Sequence, residues 1–419
     1  MKNVLCADIG TSSLKAAVIS EDGSVLAYSR RKFLLKSTKY ASKEWFPSLV
    51  NACQEMFANN PDVKVNAICI SGNGPTLTAS TGETLLWNED ADESISYSGK
   101  SLFIPRLLTF KNRMPDIWNS AETIFSSTEY MIYLLTESKV TIIPENRFVD
   151  FWWNRDELLK SGFTEADCKK LPQFYFSGSM AGRLTRKAES FFSFENNGIT
   201  EGTPVYCGAP DFVCALAGTA TLNPGVLCDR AGSSEGINLC TPSPIFSDKI
   251  RTMPSVVPGL WNAAVLYKES GSKYSAFKKK VEREAGHEFE HNDLVHRCLT
   301  ADGSDPTYSD GKYLLTQIAL DVRNAIDILK DASKNASFDF PKEITITGGQ
   351  AANDEWNQLK ANITGLTIKV PLCHDAELTG CAVFAFTGMK VFENITQASM
   401  TLSKAAKVFT PQDEQKAGI

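Results

Sequence analysis

The sequence lacks both of the common glycine-rich phosphate loops. No Gly-x-x-x-x-Gly-Lys-Ser/Thr run occurs, which excludes a P-loop, and no Gly-x-Gly-x-x-Gly run occurs, which excludes the dinucleotide fingerprint. It lacks an excess of positive charge. The net charge of -6 argues against nucleic acid as the main partner, because phosphate backbones are gripped by a basic face. The run Lys278-Lys279-Lys280 is too short to reverse that and reads as a solvated helix face. No apolar run approaches the roughly 20 residues that span a bilayer, and no leader-like segment precedes Val4, so no membrane partner is expected. None of the eleven cysteines forms Cys-x-x-Cys, their number is odd, and several lie in apolar strand-like runs. That usage reads as reduced, buried thiols in a cytoplasmic protein.

What is present is an ordinary globular composition, 43% hydrophobic and 22% charged, over 419 residues. That length exceeds one ordinary core, so two domains are expected, drawn here as 1–202 and 203–419. The first opens on "VLCADIG", an apolar strand ending in an acid, followed by "TSSLK". Two strand-like runs around Asp22-Gly23 then signal a hairpin. Trp45 to Asn59 has helical spacing, "VNAICISGN" reads as a buried strand, "TLTASTGETLLW" as a hairpin turning at Thr81-Gly82, and Ile104 to Thr136 mainly as helix. Near Gly202 a second unit begins. "TPVYCGAPD" again ends a strand in an acid, and "GVLCDRAGSSEGINLC" is two runs around Gly232-Ser233-Ser234. A helical run from Tyr313 to Lys334, the strand "EITITGG", a helix capped by Asn353 or Asp354, the strand "LTIKVPL" and the buried helix "AELTGCAVFAFTG" complete it. The halves share an architecture rather than a sequence, which predicts two βββαβ-type units facing each other across a cleft.

The chemistry follows from the turns. Backbone N–H groups in Gly-Ser/Thr turns converge on anions, and neighbouring hydroxyls add donors. A strand-end carboxylate such as Asp8 suits Mg²⁺, usually through water. A second acid, Asp211, is expected opposite Asp8, placed to take a proton from an attacking hydroxyl. Gly348 and Gly349 would let a flat ring approach the backbone. The residues thus suit an ATP-dependent phosphotransferase or an ATPase.

The ordered set "ADIGTSSLKA", "GTPVYCGAPDFVCALAGT", "DRAGSSEG" and "ITITGGQAANDEWNQLKANITG" resembles the FGGY carbohydrate kinases. The resemblance runs from Val4 to about Gly388. It implies an α/β fold of two ribonuclease H-like domains, as in the actin-like ATPase superfamily, and a cytoplasmic enzyme using ATP and Mg²⁺ to phosphorylate a sugar or polyol such as xylulose or ribulose. It implies Asp8 near Mg²⁺, with Thr11, Ser12, Ser13 and Lys15 near the phosphates. Asp211 matches the catalytic base. Gly232, Ser233 and Ser234 match the second phosphate turn, Gly271 a glycine near the nucleotide, and Gly348, Gly349, Gln350 and Asn353 the adenosine motif. Asn73, Gly74, Trp87, Asn88, Asp211 and Phe212 are the implied acceptor contacts. A homodimer is the partner left open beside the small-molecule substrate.

The chain also departs from the family. Xylulokinases carry Gly-Gln-Met-His-Gly after the strand that "AICIS" resembles, and glycerol kinases carry Asn-Gln-Arg-Glu; here Gly72-Asn73-Gly74-Pro75-Thr76 stands instead. The bulky or charged sugar contacts are gone, so neither specificity transfers. Loss of that loop keeps alive a second reading, a degenerate sugar sensor or ATPase of the same fold, against which the retained Asp211 argues. A third reading comes from His287-Glu288-Phe289-Glu290-His291, which fits the His-Glu-x-x-His zinc helix. Gly286 before it and the charged surroundings favour two histidines on a solvated helix instead.

Overall fold

The run from Asn3 is apolar on both sides of its alternation, and it becomes the strand at the heart of a sheet. β1 (Asn3–Ile9) pairs antiparallel with β2 (Ser13–Ser20), and β2 with β3 (Val25–Lys32). α1 (Trp45–Asn59) presents Trp45, Leu49, Ala52, Cys53 and Met56 on one stripe, and these pack with Leu5, Ala7, Ile9, Leu14, Ala16 and Val18 of the sheet. Each fully buried Leu or Ile there contributes about 1.5–3 kcal/mol. The chain returns as β4 (Ala67–Gly72), parallel to β1. α2 (Ser127–Thr136) starts at a capping box formed by Ser126 and Glu129. An edge strand β5 (Met180–Arg183) and then β6 (Pro204–Pro210) follow, β6 running parallel to β4, and α3 (Asp211–Gly218) leaves the end of β6. The sheet order is β5-β6-β4-β1-β2-β3.

The computed structural model describes residues 1–35, 38–192 and 197–412. In it the pattern recurs in a second unit. β7 (Leu227–Ala231), β8 (Glu235–Thr241) and β10 (Trp261–Tyr267) form an antiparallel meander, with β9 (Arg251–Pro254) at its edge. α4 (Gly271–Ala285) and the long α5 (Pro306–Ala332) lead to β11 (Glu343–Thr347), parallel to β7. α6 (Asp354–Thr364) then leads to β12 (Thr367–Pro371), parallel to β11. The core joins Leu227, Ile237 and Ile346 to Val322, Ile326 and Leu329 of α5. α7 (Ala376–Gly388) and the edge strand β13 (Ala405–Phe409) end the described chain, and the order is β9-β10-β8-β7-β11-β12-β13. The orders β3-β2-β1-β4-β6 and β10-β8-β7-β11-β12 match in sequence and in direction, so the repeated architecture expected from the sequence is present.

The unit boundaries differ from 202/203. One compact unit comprises Met1–Gly218 with Glu377–Leu402, and the other Thr219–Ala376 with the described residues from Ser403 on. "TPVYCGAPD" is not the opening strand of the second unit. It is β6, the sixth and last strand of the first sheet in chain order, and the second unit opens at β7. α7 follows β12 in the chain but packs in the first unit: a Cβ on Gly380 would lie 1.9 Å from the Cys214 carbonyl of α3, an approach only glycine allows. The stretch Ile104–Thr136 also divides, into helices Ile104–Arg113 and Pro115–Ser120, a short strand Ile124–Ser126, and α2. Pro115 sits at the start of the second helix because its ring cannot continue the first. All eleven cysteines are free thiols. No helix among the described residues is long and apolar enough to cross a membrane.

Candidate active site

In the first unit, the sequence "DIGTSSLK" folds as the β1–β2 hairpin. Gly10 N–H donates to the Ser13 carbonyl at 3.0 Å, and Asp8 faces Lys15 in the register. Asp8 is buried, and Lys15 Nζ lies 3.6 Å from its Oδ2. Thr11 is half-buried and Ser12 exposed at the tip, whereas Ser13 is buried and its hydroxyl accepts from Arg30 Nε at 3.0 Å. Two hydroxyls, then, are presented by the turn, and the third is tied into the sheet.

Asp211 stands on the same sheet as Asp8. Ile9 of β1 and Pro210 of β6 both pair with Gly72 of β4, so the two acids sit beside the same strand end, two strand spacings (about 10 Å) apart. This corrects the expectation that Asp211 belongs to the second domain and faces Asp8 from there. Parallel strands with helical crossovers align their carboxyl ends, which is where ligands bind in open α/β sheets. Asp211 is the first residue of α3, half-buried like its neighbour Phe212, and its Oδ1 accepts from Phe212 N–H at 2.6 Å.

The acceptor candidates gather at the same strand end. Asn73 N–H donates to the Ile9 carbonyl at 2.9 Å, and Ser127 Oγ at the start of α2 donates to the Asn73 carbonyl at 2.9 Å. The Asn73 side chain is buried and accepts from Thr76 Oγ1 at 2.7 Å. Thr76 Oγ1 accepts from Trp87 N–H at 3.1 Å, and Trp87 Nε1 donates to Thr11 Oγ1 at 3.0 Å. Trp87 is 39% exposed, Asn88 is exposed, and a Cβ on Gly74 would meet nothing within 4 Å. The Gly74-Pro75 bond is cis.

In the second unit, Gly232, Ser233 and Ser234 form the β7–β8 turn, with Gly232 N–H donating to Ser234 O at 3.1 Å. The Ser233 carbonyl accepts from Ser270 N–H at 3.2 Å and Ser272 N–H at 3.0 Å, which docks the start of α4 onto the turn. A Cβ on Gly271 would lie 2.2 Å from the Gly232 carbonyl, so this docking requires glycine. Gly348 has φ +93° and turns the chain after β11, and Gly349 faces open space. Gln350 is buried, and its Nε2 donates to Ser270 Oγ at 3.2 Å. Asn353 caps α6, its Oδ1 accepting from Trp356 N–H at 2.8 Å and its Nδ2 donating to Asn292 at 2.9 Å. Both ends of that side chain are thereby engaged.

One cluster escaped the sequence reading. Lys360 of α6 is fully buried and donates to Asp229 Oδ2 at 2.9 Å and Glu235 Oε1 at 2.5 Å. Glu235 also accepts from Ser270 Oγ, so the turn, the start of α4 and Gln350 share one buried polar network. Burial alone would lower the Lys360 ammonium, but Asp229 and Glu235 together hold it above its ordinary value. Burial, and then the charge of Glu235, push the Asp229 carboxyl up. The available signal was a lysine on the buried stripe of α6, beside Trp356, Asn357 and Ala361.

The zinc reading fails on secondary structure. α4 ends at Gly286 in the left-handed region, His287 lies in the loop, and His291 starts a new helix, His291–Leu299. The two imidazoles therefore do not share a helix face, solvated or otherwise. His291 packs edge-on against Tyr274 and its pKa is lowered by burial. No group of three or more metal-ligating acids, histidines and cysteines occurs among the described residues.

Two sheets of one strand order, each opening on a hairpin turn rich in Gly and hydroxyls, define the actin-like ATPase fold. Solved structures of that fold superpose on the whole chain. The ligand-bound xylulose kinase from Lactobacillus acidophilus matches with a TM-score of 0.75 and 16% identity, over 100% of this chain and 95% of that one. The Plasmodium falciparum glycerol kinase with ADP matches with a TM-score of 0.74 and 15% identity, over 100% and 96%. By sequence, the autoinducer-2 kinase of Enterobacter sp. (strain 638) is 22% identical, over 99% of this chain and 92% of that protein. Residues 314–389 match the FGGY family of carbohydrate kinases, C-terminal domain. The chain is thus similar to FGGY carbohydrate kinases, by family model over residues 314–389 and by fold over its length.

Proposed function

We propose that this protein transfers the γ-phosphoryl group of ATP to a hydroxyl of a small sugar or polyol. The observation that carries this reading is the placement of Asp8, the Gly10–Ser13 turn and Asp211 at one end of one sheet. Asp211 takes the hydroxyl proton as the oxygen attacks the γ-phosphorus in line, and ADP leaves. In the first unit, Thr11, Ser12 and Lys15 are the phosphate-binding candidates; within the second unit, the Gly232–Ser234 turn is a further anion-binding candidate, and Gly271, Gly348 and Gly349 keep that unit's turns free of side chains. A carboxylate at a strand end beside a turn of hydroxyls suits hydrated Mg²⁺, so Asp8 is the residue to hold it. When bound, the ion offsets charge on the transferring phosphoryl group. Positioning and charge neutralisation supply most of the acceleration. Free thiols throughout the chain suit a reducing, cytoplasmic setting.

The acceptor is a primary hydroxyl at the end of a short polyol or ketose, held near Asn73, Gly74, Trp87, Asn88 and Phe212. Within Gly72–Thr76, Gly74 faces open space and leaves this wall without a side chain there. The test is a coupled ADP-release screen over polyols, ketoses, aldoses and autoinducer-2. An acceptor that raises ADP release at least tenfold over the acceptor-free rate supports the kinase. ATP binding with silence across the panel would favour a sensor, and absence of ATP binding would overturn the reading altogether.

A further inference from the structure

We propose that Trp87 is a positioning residue for Thr11: it fixes the direction in which that hydroxyl donates, and so ties the Gly72–Thr76 loop to the phosphate turn. This rests on the assignment of the Gly10–Ser13 turn to phosphate. The indole N–H is a donor only, whereas a threonine hydroxyl has one proton and two acceptor sites. With Trp87 Nε1 donating to Thr11 Oγ1 at 3.0 Å, Thr11 is held as an acceptor on that side. Its own proton then turns away from the indole. A phosphate oxygen only accepts, so a hydroxyl already turned to donate suits it better than a free rotor does. The preorganisation lowers the ordering cost of binding.

Trp87 is itself held from behind. Its peptide N–H donates to Thr76 Oγ1, Thr76 donates to Asn73 Oδ1, and Asn73 N–H returns to the Ile9 carbonyl, next to Gly10. Thr76 and Asn73 are buried, while the Trp87 ring is 39% exposed. The fixed end of this relay is therefore inside and the accessible end outside. A hydroxylated ligand resting on the indole reaches the phosphate turn through one hydrogen bond, without any backbone rearrangement. The competing account is that Trp87 is only an apolar wall for the acceptor. In that account its N–H is incidental.

The two accounts separate in a double-mutant cycle on Mg·ATP affinity, measured by calorimetry without any acceptor. Trp87→Phe keeps a ring but removes the donor. We expect it to weaken Mg·ATP binding about 3- to 10-fold when residue 11 is Thr or, in Thr11→Ser, serine, the range of one ordinary hydrogen bond. In a Thr11→Val background Trp87→Phe should change affinity less than about 2-fold, the scatter expected of sites that no longer couple. Equal weakening in both backgrounds, or none in either, overturns the proposal. Failure of the unsubstituted protein to bind Mg·ATP would instead remove the kinase reading, and this inference with it. A second measurement does not depend on Trp87→Phe folding. Among the seven tryptophans, the indole N–H resonance displaced by Thr11→Val should be the one that Mg·ATP displaces in the unsubstituted protein. A resonance that Mg·ATP leaves in place overturns the proposal.

Discussion

Asp8 and Asp211 flank the end of a single strand: β1 and β6 both pair with β4, and their residues Ile9 and Pro210 meet at Gly72. The acid assigned to Mg²⁺ and the acid assigned to the proton are thus set by one rigid sheet. Their separation does not depend on any loop.

Asp211→Asn removes the proton acceptor and keeps the shape. Acceptor-dependent ADP release should fall by roughly 10²- to 10⁴-fold, the usual loss for a general base. Mg·ATP affinity, read by calorimetry, should stay within about 2-fold, since sites without a shared partner behave independently. Undiminished turnover would take Asp211 out of the mechanism.

Asp8→Ala tests the metal assignment. It also breaks the pair with Lys15 at 3.6 Å, so Lys15→Met serves as its control. The Mg²⁺ concentration for half-maximal activity should rise by roughly 10- to 100-fold in Asp8→Ala, the range for losing a residue that orders a metal shell. An unchanged Mg²⁺ titration would count against Asp8 as the metal residue.

Lys360→Met leaves Asp229 and Glu235 buried with their cation gone. Urea unfolding should show a loss of roughly 3–5 kcal/mol, as for other broken buried pairs. Adding Asp229→Asn and Glu235→Gln should recover part of it, because the uncompensated charge is then removed. A loss under about 1 kcal/mol in the single variant, no more than an exposed pair is worth, would mean that the cluster contributes little.

Glu129 provides a pH test of the scaffold. Burial pushes its carboxyl up to about 7, although the Ser126 and Ile142 N–H groups, both at 2.7 Å, oppose this. The folded protein therefore holds a proton that the unfolded chain releases above about pH 4.3. That contribution is complete below the unfolded value and is lost as pH rises through about 7. Unfolding free energy at pH 5, 6, 7 and 8 should decline across this window by on the order of 3 kcal/mol. Glu129→Gln should flatten the decline; an equal slope in both proteins would reassign the titration to another group.

Much of the local structure around the candidate site is legible in the sequence. The β1–β2 hairpin, α1 from Trp45 to Asn59, the Asn353 cap and the two meanders all follow from local patterns: period two, period 3.6, and turn chemistry within a few residues. Asp8, Thr11, Gly232 and Gly348 stood out because their neighbours in sequence are also their neighbours in space. Lys360 did not. Its carboxylates lie 131 and 125 residues away, and nothing local distinguishes a buried lysine from a solvated one until the opposing strands are known.

The sequence by itself determined most of the local strands, turns and helices, because those properties arise from side chains a few positions apart. Tertiary structure decided which sheet each strand joined. "TPVYCGAPD" and "VLCADIG" look alike as isolated strands, and only parallel pairing with β4 made them partners in one sheet, bringing Asp211 beside Asp8. It also carried α7 into the first unit, since Gly380 lets its backbone meet the carbonyl of Cys214. Strand pairing and helix docking join residues remote in the chain, and their free energy depends on surfaces that exist only after both elements have formed.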